Sequence, residues 1–197
     1  GASGSGFLEK RGIEARHVTE RMNISQGKLC LGFRTNIAPD SDDFPTLMVY
    51  NGILGGGVHS KLFQNVREKA SLAYYAYSRL EKFKGLMVVS SGIETGNRDK
   101  ALDIILKQLE DIKRGSITEQ EMEATKKNME TGLKSLMDNQ ISIVDFYLSQ
   151  AVSGTNDSFE DIINKIWKVN YEDVIRVASG IELDTVYFLT AHELAEK

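Results

Sequence analysis

The segment GILGGGVHSKLFQNVREKASLAYYAYS, residues 52–78, decides the fold, because three local patterns meet in it. A glycine triplet, Gly55, Gly56 and Gly57, closes one apolar run and opens another. In HSKLFQNVREK, Leu62, Phe63 and Val66 are spaced for one face of a helix. LAYYAYS then becomes aromatic and extended, the pattern of a strand. Arg67 and Tyr74 lie seven residues apart across that change. A helix end that feeds straight into a strand can hold a guanidinium and a phenol near one point at the mouth of a sheet.

Upstream of this segment, Leu29, Leu31 and Phe33 alternate with Cys30, Gly32 and Arg34, so a strand is expected over about 28–35. Residues 11–24 are polar with weak alternation and read as an edge strand. Pro39 and Pro45 bracket a loop, and a helix is expected from about 46 to 54, ending at the glycines. A second helix, about 60–69, delivers Arg67. Downstream, strands are expected at about 72–80 and 86–93, with EKFKG as the hairpin turn between them.

Beyond Gly96 the pattern is helical almost to the end. Leu102, Ile105, Leu109 and Ile112 form one apolar face, which Gly115 closes. Thr118 to Glu121 is a capping box, with Ile117 and Met122 placed for a hydrophobic staple, and opens a helix to about Met137. Three shorter helices follow at about 142–152, 158–167 and 171–179, then a strand at 183–190. Hairpin strands with helices collected elsewhere indicate an α+β fold, an antiparallel-rich sheet with helices packed on one face.

The chain of 197 residues is long enough for a sizeable core, and 41% hydrophobic with 26% charged residues is ordinary for a globular chain. A net charge of −4 argues mildly against a nucleic-acid or anionic-membrane surface. No apolar run is long enough to cross a bilayer. The single cysteine, Cys30, has no partner for an internal disulfide and weakly favours a cytoplasmic setting. GASGSG at the start reads as a tag remnant or linker, so residues 1–10 are set apart from a single domain over 11–197.

The residues GGGVHSKLFQNVREKASLAYY resemble the C-terminal half of peptidase family M16, the insulinase or pitrilysin clan. QGKLCLGFRT at 26–35, FPTLMVYNGILGGG at 44–57 and RGSIT at 114–118 continue the likeness over about residues 11–190. The resemblance implies the same α+β fold, the LuxS/MPP-like half-domain. It also implies a role for Arg67 and Tyr74. In M16 peptidases an arginine and a tyrosine at this separation reach from the C-terminal half to a zinc site in the other half, contact substrate backbone and steady the oxyanion. The chemistry suits them, since a guanidinium offers a donor fork to carbonyls and a phenol can donate to developing negative charge. By spacing alone, they would be a surface arginine and a half-buried tyrosine at a helix–strand corner.

Zinc in this family is bound by His-x-x-Glu-His. The histidines here, His17, His59 and His192, include no such pair, and HELAE at 192–196 has glutamate where a second histidine is needed. The chain alone is therefore expected to bind no metal and cleave nothing. The glycines fit neither phosphate-binding spacing and are read as permitting positive φ and close approach between two helices. His59 is read as a hydrogen-bonding residue at a helix start rather than a catalytic base. Alternation sets Tyr74 on the face opposite Tyr75 and Tyr77.

Two functions follow from the resemblance. In one, the chain is the zinc-free half of an active peptidase and encloses unstructured peptides with a zinc-bearing N-terminal half or paralogous subunit. In the other, it is a non-catalytic homologue that serves as scaffold or peptide-holding partner of an active paralogue. In both, the isolated half is expected to expose an apolar surface, with homodimer formation one outcome.

Overall fold

The computed structural model describes residues 14–192. The linker assigned to 1–10 and the glutamate of the HELAE tail at 196 lie outside the described residues. The chain begins with strands β1 (Arg16–Met22) and β2 (Gly27–Arg34), followed by helix α1 (Phe44–Gly55). After a π-helix (Phe63–Lys69) come β3 (Ala73–Glu81), a short 3₁₀ turn (Lys82–Lys84) and β4 (Leu86–Ile93). Helices α2 (Arg98–Lys113), α3 (Glu119–Leu136), α4 (Gln140–Ser153), α5 (Phe159–Lys168) and α6 (Tyr171–Ser179) lead to β5 (Glu182–Ala191).

The five strands form one sheet in the order β1-β5-β2-β4-β3. Among the described residues only β1 and β5 run parallel; β2 with β5, β2 with β4 and β3 with β4 are antiparallel. The polar first strand is indeed an edge, as its composition requires, because a strand without an apolar face cannot occupy the middle of a packed sheet. The alternation read in β2 is seen directly, with Leu29, Leu31 and Phe33 buried and Cys30, Gly32 and Arg34 half-buried on the other face. Met87, Val89 and Ile93 of β4 and Val186 and Phe188 of β5 join the same core.

Against this face lies α1, which buries Leu47, Val49, Tyr50, Ile53 and Leu54 almost completely. A helix that is apolar all round belongs inside a layer rather than on its surface. It touches β3 on one side and α3, α5 and α6 on others. Tyr50 carries its hydroxyl into this core without a hydrogen-bond partner, and burial pushes its pKa up.

The glycines make that packing possible through proximity. A Cβ at Gly55 would stand 2.3 Å from the backbone nitrogen of Ser78 in β3, and one at Gly52 would stand 2.5 Å from the Thr125 methyl in α3. Gly56, the α1 cap, has φ −88°, and neither Gly55 nor Gly57 has positive φ. Half of the sequence reading is thus corrected: close approach is what the glycines supply, and it joins α1 to a strand as well as to a helix. Positive φ is used elsewhere, at Gly85 in the hairpin and at Gly115 after α2.

The expected capping box opens α3, with Thr118 Oγ1 accepting from Glu121 N at 3.1 Å and Thr118 N donating to Glu121 at 2.8 Å. Glu121 also pairs with the buried Lys61 at 2.9 Å, so one carboxylate caps α3 and ties it to the segment after the glycines. Gly55→Ala is expected to destabilise the fold by about 1–3 kcal/mol, since a β-strand backbone must yield to the added methyl. Urea denaturation of the variant measures the loss.

Candidate functional site

The helix after the glycines starts at Lys61 and continues as a π-helix from Phe63 to Lys69. Ala70 N bonds to Asn65 O at 3.3 Å, the five-residue step that widens the last turn. Ser71 then takes φ 52°, a left-handed stop that turns the chain into β3. Leu62 and Val66 are fully buried, as their spacing requires. Phe63 is only partly buried and has the Arg67 guanidinium over its ring at 4.8 Å. Asn65 fixes the turn from the other side by donating to Gln108 of α2 at 2.6 Å.

Arg67 and Tyr74 do meet, but through a different atom from the one sequence spacing suggests. Arg67 Nε donates to the main-chain carbonyl of Tyr74 at 2.9 Å, and Nη1 pairs with Glu68 at 2.7 Å. The phenol of Tyr74 instead donates to Glu94 Oε1 at 3.4 Å. The cause is a bulge at the start of β3, where Ala73 pairs with Ile93 and Tyr75 with Gly92. Strict alternation would set Tyr74 with the buried Ala76 and Ser78; the extra residue turns it outward, 58% exposed. Tyr75 and Tyr77 alternate with the buried Ala76 and Ser78, their rings 5.9 Å apart.

The corner therefore presents a phenol beside a carboxylate and a guanidinium anchored by one donor to its own backbone. The arginine's Nη2 makes no hydrogen bond among the described residues. That arrangement can offer donors to a carbonyl oxygen. Glu68 and Glu94 were not legible as site residues.

The histidines remain on separate elements. His17 is exposed on β1, and His192 follows β5 with its backbone N–H on Met22 O at 3.3 Å. His59 Nε2 lies 3.0 Å from Thr125 Oγ1 of α3. Among the described residues no three His, Cys, Asp or Glu side chains gather as a metal site, so the residues present do not fit the family's zinc. No helix among them is long and apolar enough to cross a membrane.

Residues 7–129 match the family described as "Peptidase M16 inactive domain". The chain is 42% identical over 181 residues to "Probable inactive metalloprotease YmfF" of Bacillus subtilis (strain 168), covering 92% of this chain and 42% of that protein. It is 30% identical over 170 residues to "Uncharacterized zinc protease YmxG" of the same organism, covering 85% of this chain and 41% of the relative. A crystal structure of a conserved protein from Enterococcus faecalis V583 superposes with a TM-score of 0.90 at 35% identity, over 96% of this chain and 44% of that one. The chain thus spans less than half the length of each of these proteins.

Burial holds the His59 imidazole below its usual pKa, opposed by the charge of Glu121 and a hydrogen bond to the Gly52 backbone. The fold therefore favours the neutral ring. On acidification the unfolded chain takes up this proton first, so the full stability is present above about pH 6.5 and declines as pH falls through the folded pKa. His59→Gln is expected to flatten that decline, read from chemical denaturation at a series of pH values.

Proposed function

The chain belongs to the M16 peptidase family, in its inactive-domain group, and on that premise we propose that it is a non-catalytic domain that holds extended peptide within a longer protein. The observation that carries this reading is the 42% identity to a relative named as an inactive metalloprotease, over nearly the whole chain. The scattered histidines support it. In this reading the domain works as scaffold and peptide-holding partner beside an active paralogue. Its lone cysteine suits a reducing, cytoplasmic setting.

Two observations favour a second reading, in which a zinc-bearing N-terminal half or paralogous subunit completes a working peptidase. A relative named as a zinc protease shares 30% identity, and Arg67 and Tyr74 stand together at the sheet corner. In that case both residues would serve substrate contact and oxyanion stabilisation, and zinc would come entirely from the other half. Metal analysis and a peptidase assay on the whole protein separate the readings. The scaffold reading expects peptide binding with no turnover when zinc is supplied. The peptidase reading expects turnover that Tyr74→Phe lowers by about 10²–10³ through loss of one donor, with unchanged thermal melting.

The surface that a partner half would cover has a clear candidate in α4. This helix buries none of its residues, and Ile141, Val144, Leu148 and Val152 are each at least 60% exposed along one stripe. Asp145 is its sole charge. A contiguous apolar helix face of this kind marks an interaction surface. In the 197-residue chain alone, sedimentation velocity is expected to show concentration-dependent association through the stripe. Val144→Glu combined with Leu148→Glu should hold the chain monomeric while changing stability by less than about 0.5 kcal/mol, since both positions face solvent.

A further inference from the structure

Helix α4 carries its two faces the wrong way round for the surface of a single domain. Its exposed stripe of Ile141, Val144, Leu148 and Val152 is aliphatic, each side chain at least 60% exposed. The half-buried face turned to the domain carries Phe146, Ser149, Gln150 and Ser153, three of them polar. An amphipathic surface helix does the opposite, with its apolar side on the core and its polar side in water. Among the described α-helices it alone buries no residue. It is tied to the body by Phe146, which stacks on Phe159 of α5 with ring centroids 3.8 Å apart, and by Lys82 Nζ, which donates to Ser149 Oγ.

Beneath α4 lies a cavity of about 610 Å³, lined on its other sides by Phe44 and Met48 of α1, Leu80 of β3, Leu133 of α3 and Ile162 of α5. The polar face of α4 thus looks onto an apolar floor, and Ser153 Oγ is buried there without a hydrogen-bond partner. Charges of both signs, Asp40, Asp42, Lys82 and Lys168 among them, also line the cavity, so it selects no ligand charge. The links at both ends of the helix give it room to turn. Gly154 caps it at φ 73°, with nothing within 4 Å of where a Cβ would stand, and residues 155–158 follow without regular structure. At the other end Met137 and Asp138 form a turn before Asn139 caps the helix.

We propose that α4 is a two-position flap, which turns about its own axis to seat its aliphatic stripe in this cavity whenever no other surface covers the stripe. Successive residues stand about 100° apart around a helix, so Val144 and Leu148 lie nearly opposite Phe146 and Ser153, and roughly half a turn exchanges the faces. In the turned position Val144 and Leu148 face the apolar floor, while Ser149, Gln150 and Ser153 reach water, where Ser153 gains the partner it lacks. The Phe146–Phe159 stack and the Lys82–Ser149 bond oppose the turn. A partner that takes the stripe favours the outward position, so the cavity and the partner compete for the same side chains. The flap hides an apolar face until a partner arrives, and it does not depend on whether the domain holds peptide.

Thiol accessibility tests the proposal on the 197-residue chain, at a dilution where sedimentation velocity shows a monomer and in a Cys30→Ser background that leaves no other thiol. The probe is fluorescein maleimide, too bulky for the cavity, and thiols are introduced singly by Ser153→Cys and Leu148→Cys. A helix fixed in the outward position is labelled at 148 and shielded at 153. The flap is labelled at 153 within about tenfold of the rate at 148. Adding Val144→Gln and Leu148→Gln to Ser153→Cys should slow labelling at 153 by about tenfold or more, because the amides lose water in the cavity without gaining what an aliphatic side chain gains. These side chains are neutral, so the charges around the cavity do not decide the result. Circular dichroism checks that each variant is folded. Should the glutamine pair disturb the fold, Val144→Ala with Leu148→Ala repeats the test by removing the apolar volume without adding a polar group. Position 153 shielded in the otherwise unaltered helix overturns the flap. So does labelling there that is equally fast with the stripe substituted, which marks local unfolding of α4. Either result leaves the peptide-holding reading standing.

Discussion

The close approach of the α1 backbone to β3 at Gly55 and to α3 at Gly52 is the constraint on which the rest of the structure depends. Side chains at either position would push a buried helix away from the sheet or from its neighbour. With both absent, α1 fills the core between layers, and the strand beside it is fixed in height and register. Several features of functional interest then follow from β3. Its first residues carry the Arg67–Tyr74 corner, its free edge faces solvent, and its last turn presents Lys82.

Two local irregularities shape the corner. The π-turn lets seven residues link Phe63 to Lys69 while keeping Val66 buried, and the β-bulge reverses the outlook of Tyr74. Both are compact ways of re-aiming a side chain without moving an element. Their combined effect is that the arginine is held by a carbonyl and the phenol is left accessible beside Glu94. A guanidinium so anchored has fewer conformations to lose when it meets a ligand, which favours binding.

The domain is also incomplete on its surface in a consistent way. α4 turns an apolar stripe outward, and β3 leaves its edge open. A self-sufficient domain covers or charges such features. Relatives more than twice as long contain enough additional chain to do so.

Much of this was legible in the sequence because the physics is local. Alternation gave β2, the Thr118–Glu121 box fixed the start of α3, and left-handed Gly115 ended α2. The REK–LAYY junction placed Arg67 and Tyr74 at one corner, since a helix and a strand joined without a loop cannot separate their ends. Other features needed partners distant in sequence. Nothing near Lys61 reveals that Glu121 will neutralise it, and the phenol's acceptor is set by the register of β3 on β4. The purpose of the glycines was settled only by what lay across from them, Ser78 and Thr125. Strand order, and with it the open edge of β3, is likewise a property of the assembled sheet. Short-range periodicity and capping determine which elements form; contacts between elements decide which atoms of those elements are left free to meet a ligand.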